Sequence, residues 1–212
     1  MKILNLYAGI GGNRKLWGEN HEITAVEINP EIAAVYQDLY PNDTVIVADA
    51  HQYLLEHSKE YDFIWSSPPC PTHSRLNYPR MKKGIYKYAD MTLYQEIIFL
   101  TWCFKGKWVV ENVISYYNPL IKPTLIGRHY YWSNFHLGKP NFKINDDKML
   151  DYKLSNKNSW TQISYNELKS ATSINLDKYE LSNKRLALRN AVNPKHALHI
   201  FNMAFKMSQS TL

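Results

Sequence analysis

Short apolar runs separated by polar, helix-like stretches organise the first half of the chain. Residues 2–7, 22–26, 44–47 and 61–65 are each too brief for a helix and rich in β-branched or aromatic side chains, which predicts strands. The intervening stretches carry helix signals. Pro30 suits the first position of a helix running to about residue 40, and Asp49 suits the N-cap of a helix over residues 50–57. A shorter helix-like stretch covers residues 13–17. Strands alternating with helices, each strand ending in a polar or glycine turn, predict an α/β fold: a doubly wound, mostly parallel sheet of Rossmann-like type. Further on, Asp90 is placed to cap a helix over residues 91–104, and an apolar run at 107–110 predicts a fifth strand. From residue 136 to about 181 periodicity is poor and polar residues dominate. Residues 195–207 read as an amphipathic helix packing back on the sheet.

Composition narrows the setting. The chain has 212 residues, of which 45% are hydrophobic, enough for one domain or one domain with a small appendage. No run reaches the apolar length of a membrane span. Met1 and Lys2 lead straight into a strand without a signal-peptide pattern, and the two cysteines, Cys70 and Cys103, are too far apart for a disulfide framework. Both point to a reducing cytoplasm. The net charge of +6 favours a polyanionic partner without specifying one. No residue is assigned to a metal.

Candidate chemistry sits at the predicted strand ends. Ala8-Gly9-Ile10-Gly11-Gly12 makes a glycine turn between a strand and a helix, where backbone N–H groups can approach a ligand. It leaves NAD, ATP and S-adenosylmethionine open; the absence of Gly-Lys-Ser/Thr argues against a P-loop, and the full dinucleotide spacing is missing. Glu27, at the tip of the second strand, is placed to accept from both ribose hydroxyls of a nucleoside cofactor. Asp49 could hold an adenine amino group and could equally cap the helix behind it, two compatible roles. The fourth strand runs into Ser66-Ser67-Pro68-Pro69-Cys70. Two prolines stop the strand and stiffen the turn, presenting Cys70 as a nucleophile, low in pKa and open to solvent. The plainer reading is a small buried hydrophobe. Residues 71–88 form a polar, basic loop in which Ser74, Arg75, Arg80, Lys82 and Lys83 are candidates for nucleic-acid contact, interleaved with tyrosines.

Four motifs in order resemble the cytosine-C5 DNA methyltransferase family, of short phage or restriction-modification type. Residues 5–12 (Asn-Leu-Tyr-Ala-Gly-Ile-Gly-Gly) are similar to its first motif, Ser67-Pro68-Pro69-Cys70 to its Pro-Cys motif, Glu111-Asn112-Val113 to its Glu-Asn-Val motif, and residues 189–194 (Arg-Asn-Ala-Val-Asn-Pro) to its closing motif. The resemblance implies S-adenosylmethionine as cofactor, with Tyr7, Ala8, Gly9, Ile10, Gly11 and Gly12 along its methionine part. Glu27 would hold the ribose, Ile28 the adenine face, and Asp49 and Ala50 its edge, with Pro69 and Asn190 closing the pocket. It implies Cys70 as nucleophile, Glu111 as the acid at cytosine N3, and Arg128 at the cytosine carbonyl, with His129 as the alternative. It divides the chain into a catalytic and cofactor-binding part, residues 1–135, a short target-recognition segment, 136–181, and C-terminal helices, 182–212.

The chemistry of the residues agrees with that resemblance. Cytosine C5 does not attack a sulfonium methyl unaided; a thiolate adding at C6 makes it an enamine carbon, and an acid at N3 stabilises the charge pushed into the ring. The expected activity is methyl transfer from S-adenosylmethionine to cytosine C5 in double-stranded DNA, with base flipping, by a monomer in the cytoplasm of a bacterium or phage-infected host. The short recognition segment leaves room for a partner supplying further sequence recognition. An RNA (tRNA) cytosine-C5 methyltransferase and a catalytically silent nucleic-acid-binding regulator are the alternatives.

Overall fold

The computed structural model describes residues 1–141, 152–154 and 160–206. The predicted alternation is present. Strands β1 (Lys2–Leu6), β2 (Glu22–Val26), β3 (Thr44–Ile46), β4 (Phe63–Ser66) and β5 (Lys107–Val113) are parallel, and β6 (Thr124–Ile126) and β7 (His129–Ser133) add an antiparallel edge. The order across the sheet is β3-β2-β1-β4-β5-β7-β6. The chain therefore starts in the middle of the sheet, winds outward one way to β3, and returns past β1 to wind the other way. A reversal of strand order of this kind opens a crevice at the carboxyl ends of the strands.

Both faces of the sheet are covered, which is why its strands are continuously apolar rather than alternating. On one face α2 (Ala50–His57) and α4 (Thr92–Cys103) pack against Leu4, Leu6, Ile64, Trp108 and Val110. On the other, α7 (Pro194–Phe205) brings Ala197, Ile200 and Phe201 onto Ile3, Phe63, Trp65 and Val109. Successive strand residues thus serve opposite layers, as the two-residue strand period requires. Proline and asparagine set the helix starts. Asn29 caps α1 (Pro30–Leu39) by accepting from Glu31 and Ile32, and Asn193 caps α7 by accepting from Lys195, each with proline at the first position.

Two expectations change. β5 does not stop at residue 110; it continues to Val113 because β7 keeps pairing with it, Glu111 opposite Tyr131 and Asn112 opposite Tyr130. The segment 136–181 is also less irregular than its pattern suggests. β8 (Tyr152–Leu154) pairs antiparallel with β9 (Trp160–Gln162), and α5 (Tyr165–Thr172) begins with a reciprocal capping box between Ser164 and Glu167. Ile163, Leu168, Ile174 and Leu176 are buried with Val35 of α1 and Leu188 of α6 (Lys184–Asn190), so this half of the segment is core. The C-terminal helix ends at Phe205; Met207 lies outside the described residues, as do 142–151 and 155–159 of the expected recognition segment.

Candidate active site

The register sets one row of residues just beyond the paired strands. Ile46, Val26, Leu6, Ser66 and Val110 are aligned neighbours across β3, β2, β1, β4 and β5, so Val47, Glu27, Tyr7, Ser67 and Glu111 follow them side by side. Three of the expected site positions therefore meet at one edge by strand geometry alone.

The glycine loop leaves β1 through Tyr7, which holds a left-handed φ of 54°. The three glycines have different tasks. Gly9, at φ 55°, faces open space: a Cβ there meets nothing within 4 Å. Its N–H donates to Glu27 Oε2 at 2.9 Å, which ties the loop to the tip of β2. Gly11 and Gly12 serve close packing instead. A Cβ on Gly11 would strike the rings of Tyr40 and Tyr36, and one on Gly12 would lie 2.5 Å from the Val192 carbonyl. Ile10 is buried in the α1–α6 core, so only its backbone can face a ligand, and Ala8 is buried as well. Glu27 Oε1 also accepts from the Asn29 N–H. Asp49 does cap α2, accepting from Gln52 N–H at 2.9 Å, with Ala50 buried behind it. Ile28 and Val47 stand at the strand tips 66% and 55% exposed.

The Pro-Pro turn carries Cys70 to the same edge. Pro69 is exposed and Cys70 half-buried. Asn112 Nδ2 donates to the Pro68 carbonyl at 3.0 Å, which fastens the turn to β5. Glu111 is buried on β5, and burial pushes its carboxyl up to about 7, against the opposing effect of the Ser67 hydroxyl. The expectation of a low-pKa, open thiol is not met. Burial raises the Cys70 thiol and the charge of Glu111 raises it further, outweighing the nearby Arg189 and a backbone hydrogen bond, which lower it. That same coupling places the two groups together.

Of the two residues weighed for the cytosine carbonyl, His129 lies with its Nε2 3.6 Å from Glu111 Oε1. Arg128 lies in the turn joining β6 to β7. Asn190 ends α6 and accepts from Arg189 Nη2. The basic loop is partly ordered into a 3-10 turn (Arg75–Asn77) and α3 (Tyr78–Met81). Arg75, Arg80, Lys82 and Lys83 are exposed on it, as are Leu76, Ile85, Tyr86 and Tyr88. Ser74 is not free to roam: its hydroxyl accepts from the Leu76 N–H at 3.2 Å.

Sequence reasoning missed four groups near the site. Arg189 stands where the closing motif usually has glycine. His73 is buried beside the Pro-Pro-Cys turn, its Nδ1 2.6 Å from Tyr117 Oη. Glu96 and His51 lie beneath the glycine loop. Arg189 left a trace as that departure from glycine, and Glu96 as the one charge within α4.

A doubly wound sheet with a glycine loop, an acidic strand tip and an adjacent thiol–carboxyl pair is the architecture of an S-adenosylmethionine-dependent methyltransferase. Solved structures with this fold include a methyltransferase of Entamoeba histolytica, EhMeth, at 12% identity over 97% of this chain and 98% of that one, with a TM-score of 0.60. A mutant of Spodoptera frugiperda DNMT2 is likewise similar, at 17% identity over 97% and 99%, with a TM-score of 0.60. The family model for C-5 cytosine-specific DNA methylase matches residues 1–119, and the chain belongs to that family. It is also 26% identical over 139 residues to a tRNA (cytosine(38)-C(5))-methyltransferase of Spodoptera frugiperda, covering 60% of this chain and 40% of that protein. The chain thus spans about two-fifths of that relative's length.

S-adenosylmethionine is the family's cofactor, and the residues present fit it. The open space at Gly9, the two-oxygen carboxylate of Glu27, and the uncovered apolar side chains of Ile28 and Val47 match a methionine chain, a ribose diol and a purine.

Proposed function

We propose that the protein methylates cytosine at C5 in DNA, with Cys70 as nucleophile and Glu111 as the acid at N3. The observation that carries the reading is the pairing of these two groups on neighbouring strand ends, close enough for the Glu111 charge to act on the Cys70 thiol. Bound S-adenosylmethionine supplies an electrophilic methyl group. Cys70 thiolate adds to C6, and the ring charge is met by the Glu111 proton at N3. The addition makes C5 an enamine carbon, nucleophilic enough to take up that methyl group, and residues 7–12 with Glu27 would hold the donor beside it. Loss of the C5 proton to solvent water expels the Cys70 thiolate, and N3 returns its proton to Glu111, which restores the neutral ring and the acid. Glu111 is suited to its part because its carboxyl, at about 7, still holds a proton near neutrality. His129 is the chain's candidate for the cytosine carbonyl, a place for which Arg128 is the other.

The nucleic-acid part of the reading is supported by the basic loop beside Cys70, where Arg75, Arg80, Lys82 and Lys83 face solvent next to exposed tyrosines. Closing on phosphates, this loop would hold a flipped cytosine over the thiol. Residues 1–135 act as the catalytic part, and the segment after them contributes to target choice. The second reading is RNA methylation, favoured by the tRNA-modifying relative. Transfer of tritium from labelled cofactor to duplex DNA and to tRNA, with Cys70→Ser as control, separates the two. Label in DNA alone supports the first reading, label in tRNA alone the second, and label independent of Cys70 overturns the mechanism.

A further inference from the structure

One fully buried ionisable group takes no part in that chemistry. Glu96 lies on the sheet-facing side of α4 with no solvent exposure. Its carboxylate accepts from Tyr7 Oη at 2.6 Å and from Ser66 Oγ at 2.6 Å, and lies 3.1 Å from His51 Nδ1. A carboxylate this deep is tolerated only when its oxygens are satisfied, and here the donors come from three separate segments. Tyr7 opens the glycine loop. Ser66 is the last residue of β4, directly before the turn that carries Cys70. His51 is the second residue of α2, two positions past Asp49.

The backbone supplies an independent sign of tension at this point. Tyr7 and Ser173 are the non-glycine residues with positive φ among those described. An aromatic side chain in that region is strained and persists only where its surroundings over-determine it. The Tyr7 hydroxyl is anchored at its far end by Glu96, and the turn that results brings the Gly9 N–H to Glu27.

We propose that Glu96 is a positioning residue for the methyl donor: by joining Tyr7, Ser66 and His51 it fixes the glycine loop and the root of the Cys70 turn in the geometry that binds S-adenosylmethionine. The inference rests on residues 7–12 being the donor pocket. It explains why an otherwise apolar helix carries a carboxylate into the core, where a leucine would serve packing alone. It also couples the donor site to the nucleophile's turn, since the same carboxylate holds both strand ends.

The test is calorimetric titration of the full chain with S-adenosylmethionine and with S-adenosylhomocysteine, for the wild type, Tyr7→Phe, Glu96→Gln and the double variant. Each single change is expected to weaken binding of both ligands about tenfold, the worth of one charge-assisted hydrogen bond. The double variant is expected to bind no more weakly than Glu96→Gln, because Tyr7 acts through Glu96. Single variants that bind like the wild type, with only a lowered melting temperature, would show a merely structural carboxylate and overturn the proposal. So would losses that simply add. If Glu96→Gln does not fold, Tyr7→Phe decides alone, since it removes one hydroxyl and nothing else. A wild type that binds neither ligand defeats the pocket assignment itself, and the inference with it.

Discussion

The side chain of Asn112 donates to the carbonyl of Pro68 at 3.0 Å, and this bond joins the strand that bears Glu111 to the turn that bears Cys70. The turn needs such help. Two consecutive prolines have no N–H to offer a sheet, so β4 ends at Ser66 and the turn cannot be held by strand pairing. Asn112 is placed for the task because β5 runs on past β4, supported by β7 alone.

Asn112→Ala should therefore harm catalysis more than folding. It leaves a buried carbonyl unpaired, a loss of about 1–3 kcal/mol in stability. The freed turn also lets Cys70 drift relative to Glu111, and a displacement of this kind costs on the order of 100-fold in rate. Single-turnover methyl transfer beside chemical denaturation measures both; a rate loss no greater than the fraction unfolded would contradict the role.

The two shifted groups set the pH dependence. The proposed reaction would need Cys70 as thiolate and Glu111 protonated, yet the thiol is raised and Glu111 is pushed up to about 7. The productive form is the pair holding one proton, on the carboxyl rather than on sulfur. kcat/KM should rise with pH through about 7, as the doubly protonated pair loses a proton, and fall again above the raised thiol value. Glu111→Gln should abolish the limb near 7 together with most of the activity. A profile falling through 7 instead would mean that Glu111 acts as the lower-pH acid and that the thiol is already ionised.

Glu111 should also cost stability in return for its chemistry. Its folded pKa of about 7 lies above the ordinary 4.5, so between these values the native state keeps a proton that the unfolded chain has released. Stability is undiminished below about 4.5, falls as pH rises towards 7, and stays lower beyond it. Glu111→Gln should therefore gain up to about 3 kcal/mol over the wild type at around pH 8 and almost nothing at around pH 4. Urea unfolding at the two pH values measures this, and an equal change at both would rule out the titration as the cause.

What the sequence disclosed and what it hid follow from how local each signal is. β1 to β4 and the helices between them were legible because each is a short apolar run or a capped helix that needs no distant partner to be recognised. The Cys70–Glu111 pairing was legible through two motifs, but the extension of β5 was not. Glu111 and Asn112 are polar, and only pairing with Tyr131 and Tyr130 makes them strand residues. The rise of the Cys70 pKa was hidden for the same reason, since burial and the Glu111 charge both come from across the fold. α5 lay within a polar stretch, although Ser164 and Glu167 at capping-box spacing marked its start. Glu96 announced only that a charge sat in an apolar helix, not that three segments would converge on it.

The glycine loop makes a packing prediction distinct from its ligand role. Gly12 lies against Ala191 and the Val192 backbone of the closing motif, so a methyl group there meets main-chain atoms at 2.5 Å and 3.0 Å that cannot rotate away. Gly12→Ala should separate the loop from residues 191–192 and destabilise the protein by about 1–3 kcal/mol. Gly9→Ala meets no atom, yet its φ of 55° is left-handed and strained for alanine. Comparing the melting temperatures of the two variants tests the division of labour, Gly12→Ala being expected to melt lower.

Behind the loop, Arg14 and Asp43 form a buried pair, Nε to Oδ2 at 2.8 Å and Nη2 to Oδ1 at 3.1 Å, with the Tyr36 hydroxyl also donating to Asp43. The guanidinium lies over the Tyr40 ring, and the Tyr40 hydroxyl donates to the Gly11 carbonyl, so the pair buttresses the loop from beneath. Removing Asp43 leaves the buried guanidinium with the solvent-exposed Glu19 carboxylate, 3.3 Å from Nη2, in place of its two-bond buried partner. Asp43→Ala should thus lose about 3–5 kcal/mol, whereas replacing both residues with apolar side chains of similar volume should lose far less. A double replacement as damaging as the single one would mean that the loop depends on the ion pair itself rather than on the space it fills.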